Sequence, residues 1–214
     1  MMFSSLILAI LLLGSEHDGR LVFEKNTGQA AADIRYLLEA PNYQLQWKRG
    51  EMALVFRGRI LRIQFNGRLN GLVPEGHGRL DRLIRNINSA DAGDKQTIQK
   101  FASVKYESLY PGIDLACYIR RGKLECDFVA MPGAQPEQIR LDLDGADHIA
   151  LDDDGGLTIQ IADQEIHLPK PNAFQLEHGS RKVVDVRFQL TDMHEIGFVT
   201  GEYNHLIPLI IDAQ

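Results

Sequence analysis

Short stretches in which apolar and polar residues alternate recur along nearly the whole chain, with turn signals between them. Tyr43-Gln44-Leu45-Gln46-Trp47 alternates, Arg49-Gly50 turns, and residues 52–56 return. Leu61, Ile63 and Phe65 share one face against Arg62 and Gln64. A period of two marks a half-buried strand, because successive side chains point to opposite faces of a sheet. The pattern returns at Leu157-Thr158-Ile159-Gln160-Ile161, and through Val184, Val186 and Phe188 within residues 182–190. Residues 30–40 are rich in helix formers, yet Ile34, Tyr36 and Leu38 alternate with Arg35 and Glu39 before Pro41-Asn42 stops them. They too read as a strand. Residues 66–78 hold Asn66-Gly67, Asn70-Gly71, Pro74 and Gly76-His77-Gly78, and read as loop. No long amphipathic helix and no internal repeat interrupts the series. The expected fold is all-β, an antiparallel β-sandwich built from hairpins and meanders. At 214 residues the chain has the size of one domain, placed at residues 20–214.

The centre of the chain is the best determined. Two apolar-rich runs, residues 113–119 and 124–131, flank Arg120-Arg121-Gly122-Lys123, with Pro111-Gly112 before them and Pro132-Gly133 after. Apolar runs around a glycine-containing break predict a β-hairpin. With Arg121-Gly122 as a two-residue turn, Ile119 faces Leu124, Tyr118 faces Glu125 and Cys117 faces Cys126. The cysteines then occupy a non-hydrogen-bonded pair, close enough for a cross-strand disulfide. Two buried free thiols are the alternative, and a three-residue loop with a bulge would break the facing pairs.

YPGIDLACY followed by LECDFVAMPGAQPEQI resembles an uncharacterised N-terminal domain of bacterial cell-surface proteins that continue into SBBP-type, β-propeller-like repeats. The likeness spans most of residues 21–212. It is carried by Tyr110, Pro111, Gly112, Ile113, Asp114, Pro132, Gly133 and Asp212, and by Asn172-Ala173-Phe174-Gln175. It aligns residues 80–87, which alone could form a helical turn or two, with a strand. It implies a surface-exposed domain and assigns no activity. Family members often carry bulky residues at the two cysteine positions, so a disulfide would be local to this chain. Their closing motif usually has Pro after the Asp, where this chain has Ala213.

Hydrophobic residues make up 44% of the chain and charged residues 24%, values that exclude wholesale disorder. The net charge of −6 argues against a partner whose phosphates must be neutralised, so no nucleic acid is expected. Charge is unevenly spread. Nine basic residues between Lys48 and Arg85 face three acids, and residues 141–165 hold eight acids with no Lys or Arg. Such segments read as solvated faces, or as poles that meet in space. The apolar run of residues 6–13 is too short to span a bilayer and suits a signal peptide over residues 1–15, so export to the periplasm, surface or medium is expected. No Lys or Arg precedes that run, which leaves a cytoplasmic protein with a buried first strand as a third reading.

Catalytic signatures are missing. There is no G-x-S-x-G elbow, no H-E-x-x-H and no P-loop, and the histidines show no metal-ligand spacing. His167 reads as a hydrogen-bonded or exposed strand residue. Asp142, Asp144, Asp147, Asp152, Asp153 and Asp154 form the densest carboxylate set, but LDLDGADHIALDDDGG does not fit an EF-hand, and Asp before Gly has a turn explanation. Asp114, Glu125 and Asp127 are the carboxyls a glycosidase could use, although each has an ordinary structural role open to it. No cofactor and no metal are expected. The sequence therefore reads as a non-catalytic secreted or cell-surface β module. It would act in protein–protein contact or surface assembly with another envelope or surface protein. The alternative is a cell-envelope carbohydrate-binding or carbohydrate-processing domain, with Tyr36, Tyr43, Trp47, Tyr118 and Tyr203 as an aromatic platform for glycan.

Overall fold

The computed structural model describes residues 21–68, 71–80, 86–87 and 96–212. Residues 1–15, read as a signal peptide, the loop at residues 89–95 and most of residues 80–87 lie outside the described residues. The strands are β1 (Phe23–Lys25), β2 (Ile34–Glu39), β3 (Tyr43–Lys48), β4 (Glu51–Phe56), β5 (Arg59–Asn66), β6 (Glu75–Arg79), β7 (Asn86–Ile87), β8 (Gln96–Thr97), β9 (Lys100–Tyr110) and β10 (Ile113–Arg120). They continue as β11 (Lys123–Ala130), β12 (Arg140–Asp144), β13 (His148–Leu151), β14 (Leu157–Ile161), β15 (Gln164–Leu168), β16 (Asn172–Glu177), β17 (Ser180–Val184), β18 (Val186–Leu190), β19 (Glu195–Thr200) and β20 (Leu209–Asp212). A 3-10 turn at Pro136–Gln138 is the one helical element among the described residues. The pairings are antiparallel. The all-β antiparallel expectation therefore holds.

The main sheet runs β17-β16-β20-β11-β10-β9-β1-β2-β3-β4-β5-β12-β19-β18, with β6 added on β9. It does not lie flat. Strand β9 takes β1 and β10 end to end along one side, Phe101 facing Phe23 and Ser103 facing Tyr118. Its other side is covered by β6, where Arg79 faces Phe101 and Gly76 faces Val104. One half of the sheet thus folds over the other at β9. Phe128 of β11 meets Phe198 of β19 at 5.8 Å between ring centroids, and Tyr106 of β9 meets Phe65 of β5 at 5.3 Å. Contacts between strands so distant in sheet order require two facing layers, joined at a corner into a near-barrel. The second junction is the step from β17 to β18, the two ends of the sheet, with only Asp185 between them. The Gly201 amide donates to the Asp185 carbonyl at 2.8 Å and fixes that step.

The inward faces are those that the alternation predicts: Tyr43, Leu45 and Trp47 on β3, Leu141 and Leu143 on β12, Val184, Val186 and Phe188 near the second junction. The small sheet β13-β14-β15 presents Ile159, Ile166 and Leu168 to Leu54, Leu61 and Phe128, around a residual cavity of about 50 Å³. That lining is apolar, and dispersion and exclusion of water hold it together.

Two expectations need correction. The glycine-rich stretch read as loop contains β6. It carries no apolar alternation because glycine is what its site requires: a Cβ on Gly76 would fall 2.7 Å from the Phe101 ring. The Gly76 amide donates instead to the Tyr36 hydroxyl at 2.8 Å. Residues 182–190, which alternate as one strand, change pairing partner at Asp185, from β16 to β19. The inward phase is kept across the change, so the pattern alone cannot reveal it.

Candidate functional site

The central hairpin forms in the predicted register, with Ile119 on Leu124, Tyr118 on Glu125 and Cys117 on Cys126. Arg121 and Gly122 have φ of +52° and +77°, the left-handed pair that a two-residue hairpin turn demands. Cys117 and Cys126 are joined by a disulfide across a narrow pair, with Cα atoms 4.1 Å apart.

The motif residues gather mainly at the far end of this hairpin, where they hold the two layers together. Tyr110 is buried, and its hydroxyl donates to the Arg140 carbonyl at 2.7 Å across to β12. Burial raises its pKa far above the ordinary phenol value, so it stays neutral there. Pro111-Gly112 turns the chain from β9 into β10, and the Gly112 carbonyl accepts from the Met131 amide at 2.8 Å. Pro132-Gly133 follows β11, and the Gly133 amide donates to the His205 carbonyl at 3.0 Å. Ile113 is fully buried. The Asp114 carboxylate accepts from the Ser108 amide at 2.7 Å, beside the bulge that shifts register between β9 and β10. Ser108 has φ of +50°, so Asp114 secures a conformation that serine rarely adopts. Asp212 is not part of this group; it lies on β20, opposite Asp127.

Asp212 and Asp127 belong to a polar cluster on the outer face. Tyr118, Glu125 and Asp127 point there from β10 and β11. The Tyr118 hydroxyl donates to Asp127 Oδ2 at 2.7 Å, while Asp127 Oδ1 is buried without a hydrogen-bond partner among the described residues. Burial first, then the neighbouring Asp212 and Glu125 charges, push the Asp127 carboxyl up to about 6, against the lowering effect of the Tyr118 hydrogen bond. Arg120 ties Glu125 at 2.7 Å. This arrangement can hold a proton near neutral pH. Of the three carboxyls considered from the sequence, Asp114 accepts from the Ser108 amide and Glu125 pairs with Arg120.

Four of the six acids of residues 142–154 have local partners. Asp147 Oδ2 accepts from the Ala162 amide at 2.5 Å, Asp152 Oδ1 from the Thr158 hydroxyl at 2.6 Å and Asp154 Oδ1 from the Gly156 amide at 3.0 Å. Asp144 pairs with Arg62 at 3.1 Å, where β12 lies beside β5. The basic and acidic stretches therefore touch at this pair, an exposed contact worth little by itself. Among the described residues no three His, Cys, Asp or Glu are grouped to hold a metal ion. Millimolar calcium or chelator is expected to leave the melting temperature unchanged, and a calcium-dependent rise of several degrees would contradict these assignments. His167 sits 2.9 Å from the Thr158 hydroxyl and 2.7 Å from Glu165.

The proposed aromatic platform does not form. Trp47, Tyr36 and Tyr43 occupy inward positions of β2 and β3 and are buried, Tyr118 is spent on Asp127, and Tyr203 lies against His205.

What sequence reading missed is the outer face at β16 and β17. Leu176 is 55% exposed and Val183 81% exposed. Phe174 faces Val183 in register, with the Arg181 guanidinium 4.0 Å from its ring centroid. Strand β17 ends the sheet, so one side of its backbone has no strand partner among the described residues. The alternation did place Val183 opposite to Val184; nothing in it marked the strand as terminal.

Among the described residues no helix is long and apolar enough to cross a membrane. A family model described as Domain of unknown function (DUF7948) matches residues 23–213. No curated protein and no solved structure matches the chain.

Proposed function

From the premise that the chain belongs to the DUF7948 family, a membership that carries no activity with it, we propose that it is a non-catalytic β module acting by protein–protein contact. The observation that carries this reading is the edge of β17, unpaired among the described residues, beside Phe174, Leu176 and Val183. An unpaired strand edge is a template for an incoming strand, with main-chain bonds giving affinity and neighbouring side chains giving selectivity. Arg181 and Lys182 on that edge oppose indiscriminate pairing and favour an extended acidic segment of the partner. The Cys117–Cys126 disulfide and the apolar N-terminal run support an exported protein working in an oxidising compartment. The resemblance to domains of SBBP-repeat surface proteins supports an envelope or surface protein as partner.

A photo-reactive residue placed at position 183 or 176 in intact native cells is expected to give one discrete adduct. The same residue at exposed position 192 should give none. Equal adducts from all positions, or none from 183 and 176, would remove the basis for this reading.

A further inference from the structure

We infer that the charged hollow between the start of β2 and the β3–β4 hairpin is a binding site for a small oxyanion, a carboxylate, phosphate or sulfate carried on a hydroxylated molecule. The hollow has a volume of about 360 Å³ and is lined by Asp33, Arg35, Lys48, Arg49 and Glu51. That is within the size range of small-molecule sites, but the lining is charged, so the occupant must be polar.

The local backbone explains how the site arises. Ile34 pairs with Lys48 and Tyr36 with Trp47, which leaves Arg35 as the extra residue of a β-bulge. A bulge breaks the ladder and re-aims the side chain it carries, and bulges are frequent beside functional sites for that reason. The Arg35 carbonyl accepts from the Asn26 amide at 2.9 Å, but its side chain is exposed and makes no hydrogen bond or ion pair among the described residues. Arg49, at the hairpin turn, spends one nitrogen on the Gly71 carbonyl at 3.4 Å and keeps its other donors. Lys48 is different: Asp33 at 3.0 Å and Glu51 at 3.4 Å already share its charge. Three cations against two carboxylates leave the lining one positive charge in excess, and the two guanidinium groups carry it. Guanidinium groups match the planar geometry of oxyanions with paired N–H donors. Asp33 and Glu51 retain lone pairs that can accept from hydroxyls on the remainder of the ligand.

The rim is braced from beneath. The buried Tyr106 hydroxyl lies 2.7 Å from the Lys48 carbonyl and 2.8 Å from the Glu51 carbonyl. Gly50 turns with φ of +68°, and a Cβ there would lie 2.0 Å from Arg68 Nε, so Arg68 rests directly on the turn. Arg68 in turn donates to the Phe65 carbonyl at 2.9 Å. A site held this way loses little freedom on binding. It lies apart from the β16–β17 face, so its fate does not depend on the protein-contact reading.

The test is calorimetric titration with inorganic phosphate, sulfate and glucuronate at constant ionic strength, backed by amide chemical shifts. At least one anion is expected to bind saturably, with shifts confined to residues 33–35 and 48–51. Arg35→Gln and Arg49→Gln should each weaken it by about tenfold or more, as loss of a charged hydrogen bond implies. Arg35→Lys should weaken it less, and Arg187→Gln on β18 not at all. Preference for glucuronate would point to a sugar acid, and preference for phosphate or sulfate to a phosphorylated or sulfated ligand. Absence of saturable binding to all three would overturn the proposal. So would binding unaltered by Arg35→Gln and Arg49→Gln, because that is the general action of salts on protein surfaces.

Discussion

Asp127→Asn raises the stability of this protein at pH 7 and removes most of the dependence of stability on pH between 4 and 7. The Asp127 carboxyl is pushed up to about 6, chiefly by burial, with Asp212 and Glu125 adding repulsion. A carboxyl with a raised native pKa binds its proton more tightly folded than unfolded. Its contribution is therefore fully present below the unfolded value near 4 and is lost as pH rises through about 6. At pH 7 the native state carries a buried charge whose Oδ1 has no hydrogen-bond partner among the described residues. The difference between native and unfolded affinity for the proton corresponds to about 3 kcal/mol. Asparagine keeps an oxygen to accept from the Tyr118 hydroxyl, drops the charge and brings an amide donor toward Asp212. Urea unfolding at pH 4.5 and pH 7.5 checks this. The wild type should lose stability between the two values relative to the variant. A gap between them that is the same at both pH values, or a variant less stable at pH 7.5, would show that Asp127 is not held as described.

A second large effect is expected at Gly145, just beyond β12. Its φ is +99°, where side chains are strained, and an added Cβ would fall 2.4 Å from the Ile60 carbonyl oxygen. That oxygen belongs to backbone in β5 and cannot move without disturbing the β5–β12 ladder. Gly145→Ala should cost about 2–5 kcal/mol, combining backbone strain with overpacking. Gly122 is the natural control: its φ is also positive, +77°, but a Cβ there would meet nothing within 4 Å. Gly122→Ala should pay the strain alone. Comparable losses in the two variants, measured by the same unfolding transitions, would mean that β12 can shift away from β5 at little cost.

How much of this was legible in the sequence depends on the range of the interaction. The central hairpin was readable to the residue, since Arg121-Gly122 sets the register and both flanking strands are local. That Glu125 and Asp127 share a face was readable from their spacing. Their neighbour Asp212 was not, because β20 comes from a distant part of the chain and period two says nothing about partners. The bulge at Arg35 was invisible for a related reason: Ile34, Tyr36 and Leu38 still read as ordinary alternation, and only the register against Lys48 and Trp47 exposes the extra residue. Strand β6 was missed because Gly76 is chosen for the space taken by Phe101, which removes the apolar signal on which strand recognition rests.

The folding of one layer over the other has a kinetic consequence. Strands β1–β5 belong to one layer, β6 and β9–β11 to the second, β12, β18 and β19 to the first again, and β16, β17 and β20 to the second. Neither layer is a continuous piece of chain, so neither can be excised or acquire its structure ahead of the other. Unfolding should accordingly be a single cooperative transition, and folding slow for the chain's size, because its ladders join residues far apart in sequence. Strand β20 lies between β11 and β16, so the β16–β17 hairpin, already continuous with β18 at one end, is joined to β11 only when residues 209–212, which follow it in sequence, pair between them.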